Sequence, residues 1–232
     1  MQRKGTLGGR KKDKHLESMV LKSKKPILVT GSHRSGTTWV GRIIAASPSV
    51  VYINQPFSPR NDINLYSTKF DYWFTYISDK NEQDFYEHIK RIINFRYNLL
   101  GMLKTGGNRG KIVRVIKEYL RFFKYRFSDV RPLLKDPIAL FSAEWLASRF
   151  DMDVVILIRH PAAFAGSLKV KNWTYQFAHF LEQPLLMKDH LYEFEADIRN
   201  FVEEEQDILD QAALLWKLIH HMITKYEEKH QD

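Results

Sequence analysis

The sequence predicts an α/β fold in which a central parallel sheet is flanked by helices. Short apolar segments alternate along the chain with helical patterns, and this alternation is typical of parallel sheets covered on both faces. The apolar, β-branched run 153–158 is the kind of strand that such sheets bury. A chain of 232 residues is also long enough to form one domain with a substantial core.

The elements follow from apolar runs, helical periodicity and turn residues. Strands are predicted at residues 26–30, 50–53, 131–134 and 153–158. Helices are predicted over residues 37–46, 69–78, 84–104, 111–127, 139–150, 162–171 and most of 188–229, and the many aromatic residues between 70 and 127 are expected to form a helical core face. Residues 55–68, rich in Pro, Asn and Ser, are predicted to form a long loop of the kind that often binds ligands.

Composition excludes several classes of protein. The chain has no cysteine, which rules out disulfides, a thiolate nucleophile and a cysteine zinc site. The sequence shows no apolar run of about 18 residues and no apolar signal core near the start, so we expect a cytoplasmic protein. No motif of a specific nucleic-acid-binding fold is present, and we expect no specific nucleic-acid partner.

The positive charge is unevenly distributed. The net charge is +9, and the first 25 residues carry nine Lys or Arg but only two Asp or Glu. We interpret residues 1–25 as a basic, flexible arm and residues 26–232 as one α/β domain. Residues 182–232 are acidic overall, whereas the middle of the chain is basic, which suits an anionic ligand.

The turn after the first predicted strand has the composition of an anion-binding loop. Residues 26–39 read PILVTGSHRSGTTW, which predicts a strand, a polar turn bounded by Gly31 and Gly36, and the start of a helix. Backbone N–H groups in such a turn and the positive end of the helix dipole point at one spot. Arg34 adds a permanent charge, and hydroxyl donors come from Ser35, Thr37 and Thr38. This arrangement is typical of a three-layer, P-loop-like fold.

The loop nevertheless departs from the usual nucleotide loop. Gly31 and Gly36 have the spacing of GxxxxGK[ST], but Thr37 occupies the lysine position and the cation is Arg34. The best candidate for a Walker B strand ends in Arg159 rather than in a magnesium-binding Asp. We therefore expect this loop to bind a phosphate or sulfate group without a metal.

A second anion motif follows the last predicted strand. Arg159 closes the strand, Pro161 is well placed to begin a helix, and Ser167 lies eight residues after the arginine. A strand-end Arg and a Ser on the next helix can converge on one tetrahedral anion. Taken alone this motif is weak evidence, but it gains weight beside the first loop.

With these two motifs the chain resembles the sulfotransferases that use 3′-phosphoadenosine-5′-phosphosulfate (PAPS), and bacterial members in particular. Members carry a 5′-phosphosulfate loop, [KR]-x-G-[ST]-[ST]-[WL], which here reads RSGTTW at residues 34–39. They also carry the Arg-to-Ser motif for the 3′-phosphate, which here is RHPAAFAGS at residues 159–167. The segment LKDP at 134–137 and the FSAEW at 141–145 are similar to bacterial members as well.

The resemblance implies a role for each motif residue. It implies that Arg34 holds the phosphosulfate and that Ser35, Gly36, Thr37 and Thr38 surround the 5′-phosphate. It implies that Arg159 and Ser167 bind the 3′-phosphate. Trp39 either stacks near the adenine or is a core residue of the first helix.

The resemblance further implies transfer of a sulfuryl group from PAPS to a hydroxyl or amine of an acceptor. Arg34 and Lys135 are the candidates to neutralise charge on the leaving group. Lys135 is either this catalytic lysine or a surface lysine at a turn. The long loop and the aromatic segment suggest a carbohydrate or glycolipid acceptor.

The general base and the chain end depart from the family pattern. Pro137 stands where soluble members often have a histidine, and Gln55 stands where related enzymes offer a carboxylate. Asp136 is the candidate base, and its alternative is a turn residue of the Asp-Pro pair. His33 and His160 flank the two motifs as ligands or as neighbours. The family's closing C-terminal strand is not evident, so we expect the domain to be incomplete at its C-terminus.

Two other functions fit parts of the sequence. A P-loop kinase that uses ATP and magnesium would share the loop spacing but not Thr37 or the Arg159 strand end. A non-catalytic nucleotide-binding module would share the motifs but lack a base.

Overall fold

A computed structural model describes residues 25–59, 70–96 and 109–230. Most of the predicted arm 1–25, residues 60–68 of the predicted loop and residues 97–104 of a predicted helix lie outside the described residues. The described strands are β1 (Ile27–Gly31), β2 (Val50–Asn54), β3 (Arg131–Lys135) and β4 (Asp153–Leu157). The main helices are α1 (Thr37–Ile44), α2 (Tyr86–Ile93), α3 (Arg109–Tyr125), α4 (Ala143–Phe150), α5 (Pro161–Lys171), α6 (Ala178–Leu181), α7 (Pro184–Leu186), α8 (Glu195–Glu203) and α9 (Ile208–Lys229).

The four strands form one parallel sheet in the order β2-β3-β1-β4. Gly31 pairs with Leu157, and Asn54 pairs with Lys135, so the carboxyl ends of all four strands lie at one edge. The predicted α/β fold with a parallel sheet is therefore confirmed.

Helices cover both faces of this sheet. On one face α1 packs over Ile27, Val29 and Leu133. On the other face Leu28 and Leu134 join the large core, to which α4, α5 and α9 contribute. This alternation of neighbouring strand residues between two apolar layers accounts for the continuous apolar runs in the sequence.

One helix prediction is wrong. Residues 70–78 are not helical, although Phe70, Phe74 and Ile77 are buried as a core face would require. Backbone N–H groups here bond to distant side chains instead of to the preceding turn. That of Trp73 donates to His179 Nδ1 at 3.0 Å, and that of Tyr76 donates to Gln183 Oε1 at 2.8 Å. Tertiary hydrogen bonds thus replace the helical ones that the spacing predicted.

Other helices begin or end at residues different from those predicted, and local hydrogen bonds fix their starts. The predicted helix 139–150 is a 3-10 helix, Pro137–Ser142, followed by α4. The 3-10 segment begins at a cap formed by the Asp136 side chain, which accepts from the backbone N–H of Ile138. The predicted helical region 188–229 contains α8 and α9, and Asp207 caps the start of α9.

Candidate functional site

Gly31 lets β1 approach β4 closely at the start of the loop that is predicted to bind an anion. Its φ is +131°, and a Cβ added there would lie 2.2 Å from the carbonyl oxygen of Leu157. Neither the backbone angle nor the space suits any other residue. The turn that follows therefore leaves the sheet at a point set by the β1–β4 pairing.

The turn opens the N-terminus of α1 toward solvent. Ser35 closes the turn through its backbone N–H and its hydroxyl, which both donate to the carbonyl oxygen of Ser32, at 3.2 and 2.5 Å. Gly36, with φ of +99°, precedes Thr37 and supplies no side-chain cap. The first N–H groups of α1 therefore have no side-chain acceptor at the cap position, and Thr38 is exposed beside them. Such an uncapped N-terminus suits an anion.

Three buried polar atoms near the loop have no hydrogen-bond partner within the described parts of the chain. They are Thr30 Oγ1, Ser32 Oγ and His33 Nδ1. The His33 ring packs against Phe74 and Phe164, with centroids 5.5 and 5.7 Å away. Burial, and then the charge of Arg34, lowers the pKa of His33 to about 4. Because an unpaired buried polar atom costs about 1–3 kcal/mol, this concentration at one loop is typical of a ligand site.

Arg34 joins the two anion motifs. Its backbone φ is +67°, and its guanidinium Nε donates to Ser167 Oγ at 3.0 Å. Its Cζ also lies 5.7 Å from the ring centroid of Trp173. The guanidinium of Arg159 donates through Nη1 to the backbone carbonyl oxygen of Arg34. Residues more than 120 positions apart in sequence thus meet at the carboxyl edge of the sheet.

The Arg159 turn is held by α9 and by its own helix. Trp216 on α9 donates its indole N–H to the carbonyl oxygen of Arg159 at 2.9 Å. His160 caps α5 by accepting the backbone N–H of Ala162 at its Nδ1 atom, and Pro161 is the first helical residue. His160 is therefore a capping neighbour of the site. The half-buried Ser167 lies on α5 and faces Arg34.

Lys135 is a buried lysine at the end of β3. Only 4% of it is exposed, so the alternative of a surface lysine at a turn is wrong. Its stem packs beneath α1, where a Cβ added at Gly41 would lie 3.2 Å from Lys135 Cγ. Burial lowers the pKa of Lys135, the neighbouring Asp136 carboxylate opposes that shift, and Arg42 adds to it. A desolvated cation beside an anion loop can act strongly on charge that develops nearby.

Asp136 is completely buried, and its carboxylate holds two backbone segments. Oδ2 accepts the N–H of Phe57 at 2.7 Å, and Oδ1 accepts the N–H of Ile138 at 3.1 Å. Burial raises the pKa of Asp136 to about 7, although both N–H groups and Lys135 oppose the shift. These contacts favour the turn-residue alternative, since both oxygens already bind the fold.

An open groove runs along α1 beside the loop. Its volume is about 540 Å³, within the range of small-molecule pockets. Six of its lining residues are Arg34, Thr38, Trp39, Arg42, Ile43 and Ala46. Trp39 is 69% exposed here, so the alternative of a core tryptophan is wrong. An exposed indole and two guanidinium groups suit a flat, anionic ligand.

Three residues near this site were not predicted from the sequence. Arg42 follows Trp39 by three positions, a helical spacing that places both on one face, and this signal was present in the sequence. Trp173 and Trp216 reach the site through tertiary contacts, and no local pattern indicates them. Among the described residues, no group of three or more His, Cys, Asp or Glu side chains could hold a metal ion.

Comparison with known proteins agrees with this geometry. A family model described as the sulfotransferase family matches residues 26–216, which is most of the chain and includes both anion motifs and Lys135. Neither the curated proteins nor the solved structures gave a match. The match spans the sheet, the loop of Arg34 and the turn of Arg159, so the chain belongs to the sulfotransferase family.

Proposed function

We propose that this protein transfers a sulfuryl group from PAPS to a hydroxyl or amine of an acceptor. The proposal rests on one observation: Arg34 is hydrogen-bonded to both Ser167 and Arg159 beside the N-terminus of α1, which has no side-chain cap. PAPS carries a 5′-phosphosulfate and a separate 3′-phosphate. The two anion motifs lie together at one edge of the sheet, where one would bind the 5′-phosphosulfate and the other the 3′-phosphate.

The residues present fit such a donor. The turn and first helical residues, Ser35 to Thr38, would surround the 5′-phosphate. Polar atoms of Thr30, Ser32 and His33, which have no hydrogen-bond partner among the described residues, lie beside that turn. Arg159 and Ser167 would bind the 3′-phosphate. The exposed face of Trp39 in the α1 groove would contact the adenine.

When bound, PAPS supplies the sulfuryl group together with a bisphosphate leaving group. The protein's part is to position these groups and to neutralise negative charge. We assign neutralisation to Arg34, which cannot lose its charge, and to Lys135, which is desolvated at the end of β3. Ser167 and Trp173 orient the Arg34 guanidinium for this task.

We propose a carbohydrate or glycolipid as the acceptor. The support is the predicted loop at 55–68 and the aromatic segment after it, of which 55–59 and 70–96 are described. The carboxylate of Asp136 ties Phe57 to β3, so the start of that loop is fixed beside Lys135. An acceptor held by this loop would lie near the proposed catalytic cations.

Calorimetric titration with 3′-phosphoadenosine-5′-phosphate and with ADP, both without metal, tests the donor. We expect binding of the bisphosphate at least about a hundredfold tighter than that of ADP, because only the bisphosphate engages Arg159 and Ser167. Arg159→Ala should remove most of that preference. Arg199→Ala is the control, since Arg199 is an exposed arginine paired with Glu195 on α8. Equal binding of both ligands, strengthened by magnesium, would instead favour a P-loop kinase.

Asp136→Asn separates the two roles considered for this carboxyl group. An amide can accept only one of the two N–H groups, so we expect a loss of about 1–3 kcal/mol in the free energy of unfolding. Turnover per folded molecule should fall only a few-fold. A loss of a hundredfold or more in kcat with unchanged stability would identify Asp136 as the base.

Asp136→Asn should also change how the free energy of unfolding depends on pH. Asp136 has an ordinary pKa of 3.8 in the unfolded chain and a pKa of about 7 in the folded protein. At pH values between these two, the folded protein retains a proton on Asp136 that the unfolded chain has released. The contribution of Asp136 to wild-type stability therefore falls as pH rises through this window, and the asparagine variant lacks this contribution. Urea unfolding at several pH values should show the largest stability difference between the two proteins at the acidic end.

A further inference from the structure

Helix α3 exposes a stripe of large apolar side chains. The exposed fractions are 51% for Val113, 41% for Ile116, 60% for Leu120 and 44% for Phe123, and Phe127 just beyond the helix is 71% exposed. The spacings of three and four residues place the four helical positions within an arc of about 80° on a helical wheel. We call these five residues the α3 stripe.

The α3 stripe does not belong to the protein core. The helix packs inward through Phe122, which is only 2% exposed and stacks on Phe95 at 6.1 Å. Phe122 lies at least about 100° away from every stripe position on the wheel. The apolar stripe is therefore additional to what the fold requires, and an exposed apolar surface of this kind marks an interaction site.

Cations flank the α3 stripe. Exposed Lys117, Arg121 and Lys124 fall along one side of it, and the Arg126 guanidinium lies 5.5 Å from the ring centroid of Phe127. Residues 109–127 contain seven Lys or Arg and a single Glu. An apolar stripe bordered by lysine and arginine is the pattern of a helix that lies in the surface of an anionic bilayer.

We propose that α3 binds the protein to an anionic membrane surface, with the α3 stripe entering the boundary between headgroups and acyl chains. The flanking cations would then meet lipid phosphates. Among the described residues no helix is long and apolar enough to span a bilayer. The proposed attachment does not depend on the reaction that the protein catalyses.

Charge argues against other occupants of the α3 stripe. Two copies meeting stripe to stripe would bring Lys117, Arg121 and Lys124 of both chains together, and five residues are far fewer than the roughly 20–30 per side of a typical stable interface. A nucleic acid would satisfy the cations but leave the apolar side chains without a partner. An anionic bilayer satisfies both features.

Vesicle cosedimentation with the full chain tests the proposal. Phosphatidylglycerol-containing vesicles should bind the protein, and pure phosphatidylcholine vesicles should bind it much more weakly. Leu120→Ser with Phe123→Ser should weaken binding at least about tenfold, and Lys117→Gln and Lys124→Gln about fivefold each. The matched control is Val202→Ser with Leu209→Ser, which removes two exposed apolar side chains elsewhere and should leave binding unchanged.

Site-specific labelling provides a second measurement. The chain has no cysteine, so Leu120→Cys and the control Val202→Cys each give one site for an environment-sensitive fluorophore. Vesicles should raise the fluorescence at position 120 and not at 202. The proposal is overturned if position 120 does not respond while the protein is bound, or if the serine double variant binds like wild type. A wild-type dimer that the serine variant converts to monomer would also overturn it.

Discussion

Arg34→Ala should reduce kcat by about a hundredfold to a thousandfold, which is the range for removing one donor from a preorganised charge-stabilising site. Arg34 is the residue at which the loop, Ser167, Trp173 and Arg159 converge. Its effect should appear mainly in kcat because the other motif residues still bind the donor. The measurement is PAPS turnover at saturating concentrations of the acceptor that reacts best in a panel of sugars and glycolipids.

Arg34→Lys is the informative companion variant. Lysine preserves the charge but not the planar group that donates from Nε to Ser167 and lies near Trp173. We expect its turnover to be intermediate between wild type and Arg34→Ala. If Arg34→Ala retains turnover within about threefold of wild type, then Arg34 does not neutralise the leaving group and the assignment is wrong.

Gly31→Ala should produce the largest loss of stability of any single substitution considered. Its Cβ would lie 2.2 Å from the carbonyl oxygen of Leu157, and its φ of +131° is strained for alanine. Since the contact is with backbone, the β1–β4 pairing itself must open. We expect a loss of about 3 kcal/mol or more in the free energy of unfolding, which corresponds to roughly 6–12 °C in Tm for a chain of this length.

Gly166→Ala is the matched control for this prediction. Gly166 lies within α5, and beyond its chain neighbours and the helix backbone a Cβ added there meets no heavy atom within 4 Å. Alanine should therefore stabilise the helix by up to about 1 kcal/mol. If the two substitutions change the free energy of unfolding equally in urea, then the close approach of Gly31 to the backbone of Leu157 does not cause the predicted loss of stability.

The strands and the order of the two anion motifs could be predicted from sequence because their signals are local. Apolar runs predicted all four strands to within one or two residues, and the pattern of Gly31, Arg34 and Gly36 indicated the loop. The resemblance to sulfotransferases rested on these motifs, and the family match over residues 26–216 confirms it. The predicted helix at 69–78 was wrong because distant side chains, those of His179 and Gln183, satisfy its backbone.

Local sequence patterns were therefore sufficient for the strands, the turn after β1 and the family motifs, since each depends on neighbouring residues. They left both Trp39 and Lys135 with two alternatives, and tertiary packing excludes one alternative for each, because Trp39 is not a core residue and Lys135 is not a surface residue. Only the tertiary structure shows that the Asp136 carboxylate binds the backbone of Phe57 and that Trp173 lies beside Arg34. Burial and long-range contacts depend on how elements pack together, and no local spacing carries that information.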